Sequence, residues 1–378
     1  MMEKIGICTI YTGYNYGSSL QAYAVKYIVN KIGYVPEVFK LSGSLKKGRD
    51  IRLNKLFVIC IRSLLHYKAG KKNISSYHSS INAIFSDKTI KLFQAFYRNN
   101  IAATVIGYRK LKRKSHNDDY VAFICGSDQI WNATAMYIDP FYYLSFAPEY
   151  KRIAFAPSLG KDKIPDYNQK IIANKISRIP HLSIREDKGK EIIKDLIGRD
   201  PVVLIDPTMV LTKEEWKKEF HLREEDKRYA LAYFLDNPSD NATEIIESIR
   251  DDGLEILFLP YSAKETDWNG SDVGPIEFIQ LILNAEVVLT DSFHGTAFAI
   301  NFNKKFYSFS RMYGSAENQS SRLLSLLNML KLTDRFDPKV SNIYSEIDYQ
   351  EVNKILSVQR NESYSFLQKA IKEVRENG

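Results

Sequence analysis

Residues 4–28, KIGICTIYTGYNYGSSLQAYAVKYI, decide the reading of the fold. Lys4–Ile10 is an apolar run of strand length, and Tyr11–Gly17 supplies a turn with two glycines. From there Leu20, Tyr23, Ala24, Tyr27 and Ile28 recur on one helical face. Strand, turn and helix in that order open a βαβ unit whose second strand is Val35–Phe39. The alternation then returns. Tyr120–Cys125, Arg152–Ala156, Leu182–Ile184 and Val202–Ile205 read as strands, with helical patterns at Asn168–Ile176 and Lys188–Leu196. Beyond a charged stretch, Lys213 to Arg228, strands at Tyr229–Phe234, Glu255–Leu259, Val287–Leu289 and Phe306–Phe309 alternate with helices at Ala242–Arg250, Ile276–Asn284 and Thr296–Asn301. Tyr349–Val374 reads as one long helix.

Such alternation buries a parallel sheet on both faces. The fold class is therefore α/β, with two Rossmann-like domains and a cleft between them. The expected division is an N-terminal domain over 1–215 with a basic insertion at 41–120, a C-terminal domain over 225–345, and a C-terminal helix over 346–378. A chain of 378 residues, 44% hydrophobic and 26% charged, has the material for two cores, which excludes disordered, collagenous and repeat architectures.

Cys8, Cys60 and Cys125 lie in apolar runs without a CxxC pair, which predicts buried free thiols in a reducing compartment. No two histidines stand at metal-ligand spacing, so no structural zinc is expected. No cofactor is expected either. Glu3 and Lys4 lead directly into a short strand rather than a signal-peptide core, and no apolar run is long enough for a bilayer. A cytoplasmic protein follows.

The net charge of +8 is unevenly placed. Between Leu41 and Tyr120 there are 17 Lys and Arg against 4 Asp, a balance of +13 that leaves −5 elsewhere. The segment reads either as solvated helix faces with a basic loop or as a peripheral contact with the anionic inner face of a membrane. Leu56, Ile59, Leu64, Phe93 and Tyr97, interleaved at helical spacing, favour the second, with helical patterns around Lys55–His66 and Ile81–Tyr97. Nucleic acid is not an expected partner, because the basic residues form no module with stacking aromatics.

Four strand-to-helix junctions hold polar residues that a plain connection would not need, and ligands in open parallel sheets bind beyond the carboxyl ends of strands. Thr12–Ser19 brings Asn15 and two glycines to a helix N-terminus, either as an anion or hydroxyl site or as an entry turn capped by Ser18 or Ser19. In CGSDQIWN (125–132), Gly126 allows a sharp turn and Asp128 stands at the strand end. That carboxylate either orients or deprotonates a hydroxyl, or caps a turn while Trp131 packs. In LSIRED (182–187), Arg185 offers a planar donor fork to a carboxylate or phosphate, or pairs with Glu186 or Asp187. In TDSFHG (290–295), Ser292, His294 and Gly295 sit at the start of an apolar helix, where the dipole disfavours a charged imidazole unless an anion is bound. Walker A, G-x-S-x-G and H-E-x-x-H patterns do not occur.

GSDQIWN (126–132), LSIRED (182–187), LIDPTMVL (204–211) and TDSFHGTAFA (290–299), in this order, give a sequence that resembles the polysaccharide pyruvyl transferase family from the NYGSSLQAYA segment to about residue 335. The resemblance implies a glycosyltransferase-B-like arrangement of the two domains. It also implies phosphoenolpyruvate as donor and a pyruvate ketal across two hydroxyls of one sugar, made during surface or extracellular polysaccharide assembly on a free or lipid-linked acceptor. By motif, Arg185 and His294 are the implied phosphoenolpyruvate pair, with Ser292 and Gly295 beside His294. Asp128 is the implied acceptor-side base, with Asn15, Gly126, Gln129 and Trp131 around the acceptor. Many relatives carry Arg-Leu-His where this chain has Ser292-Phe293-His294, so a cation must come from elsewhere, Arg322 or Arg311. The rival reading is a glycosyltransferase of the same architecture using a nucleotide sugar. Ser310–Glu317 offers it only Glu317 and no glycine-rich nucleotide loop.

Overall fold

The computed structural model describes residues 3–45, 52–70, 85–259, 272–311, 321–343 and 345–377. It divides into two compact units: unit 1 is Met1–Asn82, Tyr97–Pro207 and Asn361–Gly378, and unit 2 is Ala83–Phe96 and Thr208–Arg360.

Unit 1 is built on a seven-stranded parallel sheet of order β3-β2-β1-β4-β5-β6-β7. The strands are β1 (Lys4–Cys8), β2 (Val35–Leu41), β3 (Thr104–Ile106), β4 (Tyr120–Cys125), β5 (Arg152–Ala154), β6 (His181–Ile184) and β7 (Val202–Val203). Central β4 is buried at every position, which is why YVAFIC is apolar throughout rather than alternating. Unit 2 repeats the plan on a smaller scale, with order β11-β10-β8-β9 for β8 (Tyr229–Tyr233), β9 (Glu255–Phe258), β10 (Val287–Thr290) and β11 (Lys305–Ser308). All strand pairs are parallel. Strand order reverses between β1 and β4 in unit 1 and between β8 and β10 in unit 2. These are the two switch points at which an open sheet leaves a crevice.

The division between units falls earlier than the charged stretch suggests. Lys213–Arg228 is not a linker: Lys213–Phe220 is a helix with a Thr212–Glu215 capping box. Its Trp216 is fully buried, edge-on to Phe298, and donates Nε1–H to the Thr208 carbonyl at 3.0 Å. One indole thus anchors an otherwise polar helix to unit 2, and the charges seen in sequence are its solvent face. The helix Tyr349–Glu376 is likewise not a separate element. Arg360 donates to the Met209 carbonyl at 2.9 Å within unit 2. Within unit 1, Arg375 pairs with Glu3, Lys31 lies over the Tyr364 ring at 5.0 Å and His181 lies 3.4 Å from Glu373.

The basic segment is partly integral to the fold. Thr104–Ile106, which has no alternation to announce it, adds the edge strand β3 beside β2. The basic run continues as the helix Tyr108–Lys114, where Leu111 is buried and Lys114 reaches Glu37 at 2.7 Å. The pattern expected over Ile81–Tyr97 appears as a helix at Asp87–Phe96 in unit 2, followed by a π-helical turn, Tyr97–Ile101, in unit 1. Residues 81–84 of that expectation lie outside the described residues. The helix Leu53–Leu65 has no buried side chain, so Cys60 is exposed, contrary to the expectation of three buried thiols. Cys8 and Cys125, neighbours in the β1–β4 register, are buried, and burial pushes both thiols up. No helix among the described residues is long and apolar enough to cross a membrane.

Burial lowers the His181 pKa below its ordinary value, outweighing the opposing pull of Glu373. On acidification the unfolded chain therefore takes the proton first, so this contribution to stability is complete above the unfolded pKa and lost as pH falls through the folded one. Thermal unfolding should show stability dropping between about pH 7 and 5, and His181→Gln should flatten that drop. An equally steep drop in the variant would assign the effect to other groups.

Candidate active site

In unit 1 the switch point collects the loops that follow β1 and β4. Asn15 ends the first loop as N-cap of the helix Tyr16–Lys31, its Oδ1 accepting the Ser18 N–H at 2.9 Å. The same turn aims the Ser18 hydroxyl at Asp128, whose Oδ2 accepts it at 2.5 Å. Asp128 owes its position to the residues before it. The Gly126–Ser127 peptide is cis, Gly126 has φ +146°, and a Cβ at Gly126 would stand 1.9 Å from the Phe155 carbonyl oxygen. Only glycine allows that approach. Ser127 is clamped from two sides: its N–H donates to Gln21 Oε1 at 3.0 Å, and its hydroxyl lies 2.8 Å from the Ala156 carbonyl and 3.0 Å from Asp206 Oδ2. Gln21 in turn donates to the Ile10 carbonyl at 2.6 Å, stitching the two loops together. Asp128 is left as a partly open carboxylate, its side chain 15% exposed.

Arg185 stands at the end of β6, behind Asp128. Its Nη1 is ion-paired with Asp206 and its Nη2 is 3.9 Å from Asp128 Oδ1. Burial alone would lower its pKa, but Asp206, Asp128 and Glu186 outweigh burial and hold it above the ordinary value. The pairing with Glu186 or Asp187 considered from sequence is replaced by the bonded pair with Asp206. Glu186 instead accepts from the Ser158 hydroxyl at 3.0 Å and the Leu159 N–H at 2.9 Å, fixing the loop after β5. With 1% of its side chain exposed, Arg185 is a charge built into the floor of the site rather than an open clamp. Of the other residues expected here, Gln129 lies against Gly160. Trp131 does not line the site: it is fully buried, stacked on Tyr143 at 5.3 Å and 5°, with Nε1 donating to the Tyr142 carbonyl. It packs the core and has no face to offer a sugar.

Unit 2 repeats the arrangement around Asp291. Its two carboxylate oxygens accept the N–H groups of Leu235 (2.7 Å) and Asp236 (3.0 Å), joining the loops after β8 and β10. Arg311 donates Nε–H to the Asp291 carbonyl at 3.0 Å and lies 3.4 Å from Oδ2. Burial raises the Asp291 pKa, with Arg311 opposing. Ser292 is the N-cap of the helix Phe293–Asn301 and accepts from the Gly295 N–H at 3.3 Å. That helix begins at Phe293, three residues before its apolar pattern, so His294 lies within its first turn, buried beside the Phe293 ring. A Cβ at Gly295 would stand 2.5 Å from Thr290 Oγ1, which seats the helix tightly on β10. Arg322 is buried in the helix Ser321–Met329. Of the two cations proposed to replace the arginine of relatives, Arg311 is the one bound at the strand end. Glu317, the acidic residue of the rival reading, lies outside the described residues.

Three residues with evident roles were not singled out from sequence: Gln21, Asp206 and Asp291. Asp206 and Asp291 each follow a strand end, the signal that found Asp128. Gln21 faces inward from a helix and carries no local mark.

Gly126→Ala forces a methyl into the Phe155 carbonyl at positive φ, and should cost about 3 kcal/mol or more in urea unfolding. Retention of wild-type stability would show that the loop has another conformation. Asp206→Ala strands the buried guanidinium, with an expected loss of about 3–5 kcal/mol. Adding Arg185→Met should recover part of that loss, and a strictly additive double variant would mean that the two side chains are not coupled.

Comparisons with solved structures give loose likenesses. A functionally uncharacterised Klebsiella pneumoniae protein is 13% identical, over 89% of this chain and 92% of that one, at a TM-score of 0.37. UDP-N-acetylglucosamine 2-epimerase from Rickettsia bellii is 10% identical over 98% of both chains, at 0.42. The Escherichia coli heptosyltransferase WaaC with ADP-2-deoxy-2-fluoro heptose is 9% identical over 82% and 89%, at 0.35. No curated protein matches by sequence. The polysaccharide pyruvyl transferase profile does match, from residue 15 to residue 311, a span that opens on Asn15, takes in Asp128, Arg185, Asp206 and Asp291, and closes on Arg311. The chain belongs to the polysaccharide pyruvyl transferase family.

Proposed function

We propose that the protein transfers pyruvate from phosphoenolpyruvate onto two hydroxyls of one sugar residue of a polysaccharide or its precursor, with no cofactor. Family membership supports the reaction class. The observation that carries the acceptor side is Asp128, a partly open carboxylate at the switch point, held by Ser18 in front and faced by a buried guanidinium behind.

The chemistry is as follows. A proton adds to the methylene carbon of phosphoenolpyruvate, leaving an oxocarbenium-like centre at the neighbouring carbon. One sugar hydroxyl attacks that centre and gives up its proton. The carbon–oxygen bond to phosphate breaks with its electron pair going to phosphate, and the second hydroxyl closes the ketal. Of the two hydroxyl protons, one balances the new methyl group and the other leaves with phosphate. The protein must bind a phosphate and a carboxylate, supply the first proton and accept those of the hydroxyls.

Asp128 is the base for the attacking hydroxyl, with Asn15 and Gln129 on the acceptor side. Arg185, paired with Asp206, faces Asp128 from behind, with Nη2 3.9 Å from Oδ1, and holds that carboxylate in place. The donor anion is assigned to the start of the helix Phe293–Asn301, where the helix dipole, His294 and Arg311 favour negative charge. His294 either contacts phosphate or donates the proton.

Thermal unfolding with phosphoenolpyruvate and, separately, with a panel of nucleotide sugars tests this. Phosphoenolpyruvate at about 100 times its Kd should stabilise the protein by ~2.7 kcal/mol, and His294→Ala should reduce that gain. Asp128→Asn should keep the gain yet lower phosphate release with acceptor by about 10²–10⁴-fold. Stabilisation by a nucleotide sugar and none by phosphoenolpyruvate would replace pyruvyl transfer with glycosyl transfer.

A further inference from the structure

The helix Leu53–Leu65 is turned opposite to an ordinary surface helix. Its half-buried side carries Lys55, Arg62 and Ser63 together with Val58 and Ile59. Arg62 donates to the Tyr167 carbonyl and Asn168 Oδ1, both at 2.8 Å, and His66 just beyond it stacks on Tyr167 at 4.8 Å. Arg52, immediately before the helix, is buried in an ion pair with Asp139. Leu53, Phe57, Cys60, Ile61 and Leu64, spaced i, i+4, i+7, i+8 and i+11, therefore form one outward stripe. Leu53 is 69% exposed, Phe57 67% and Leu64 78%. Soluble surfaces carry scattered exposed apolar side chains, but a contiguous apolar face held outward by bonds on its polar side marks a contact surface.

The surroundings say what it contacts. The start of this helix and Tyr108, the first residue of the helix Tyr108–Lys114, line one groove. That second helix exposes Arg109, Lys110, Lys112 and Arg113. An apolar stripe with exposed cations beside it matches the boundary between acyl chains and anionic headgroups. A second copy of the chain fits less well, since it would set one +13 segment against another. The helix is too short to span a bilayer, so it would lie in the plane of the surface.

We infer that the helix Leu53–Leu65 is an in-plane anchor that docks unit 1 on an anionic lipid surface, with the helix Tyr108–Lys114 supplying the electrostatic attraction. This holds whichever reaction the protein catalyses.

Co-sedimentation of the full chain with vesicles of phosphatidylcholine and phosphatidylglycerol in equal parts, against phosphatidylcholine alone, tests the inference. Binding should require the anionic lipid, weaken with salt, and fall at least about tenfold in Leu64→Glu and in the Lys110→Gln, Arg113→Gln double variant. Cys8 and Cys125 are buried, so a polarity-sensitive fluorophore on Cys60 reports this face alone. Its emission should shift to the blue on the anionic vesicles, which tests insertion even where a variant fails to fold. No binding to anionic vesicles, binding unchanged in folded Leu64→Glu, or a label that stays in water would each overturn the inference. So would a dimer that Phe57→Glu dissociates in the absence of any vesicle binding.

Discussion

A guanidinium removed from water must be met by opposite charge, and in unit 1 that requirement organises everything near the switch point. Arg185 is satisfied by Asp206 from the segment after β7 and faced by Asp128 from the loop after β4. Asp206 also approaches the Ser127 hydroxyl, and Ser127 is tied through Gln21 to the loop after β1. One buried cation thus draws together segments that follow β1, β4, β6 and β7. The ion pair is not a stabilising bonus in itself, since desolvating both groups costs about as much as their attraction returns. What it achieves is placement: the Asp128 carboxylate has one position, set by charge behind and a hydroxyl in front.

Unit 2 solves the same problem with other means. Asp291 is also a carboxylate at a switch point, but it spends both oxygens on backbone N–H groups of the loop after β8. It is a structural brace, while its successor Ser292 caps the following helix and His294 lies in that helix's first turn. The two strand-end aspartates therefore look alike in sequence and differ in work: one keeps its carboxylate partly exposed, the other is consumed in tying two loops together.

The sheets were legible because buried parallel strands leave continuous apolar runs, and every long one was found. Thr104–Ile106 escaped because three edge residues carry too little pattern, and the helix at Lys213–Phe220 because its single buried anchor, Trp216, is outnumbered by surface charge. Among the candidate residues, Asp128, Arg185 and His294 were visible through their place after strands. Their partners were not, since Asp206 lies 21 residues beyond Arg185 and Gln21 lies 106 residues before Ser127. Trp131 shows the converse error: an aromatic beside a strand-end carboxylate invites a ligand-stacking role, yet core packing claims it. The outward face of Leu53–Leu65 was half legible, because periodicity reveals an amphipathic helix without revealing which side is turned in.

The division of the chain bears on the order in which the protein is made. Every residue of unit 2 precedes residues 361–377, and those residues complete unit 1 through Tyr364, Glu373 and Arg375. On the ribosome, unit 2 therefore has its whole sequence before unit 1 does, although unit 1 begins first. Until residues 361–377 are made, unit 1 lacks the partners of Glu3, Lys31 and His181, in a parallel topology already slow to form because its contacts are distant in sequence. The interval between completion of unit 2 and synthesis of residues 361–377 is the one in which unit 1 has most need of protection from aggregation.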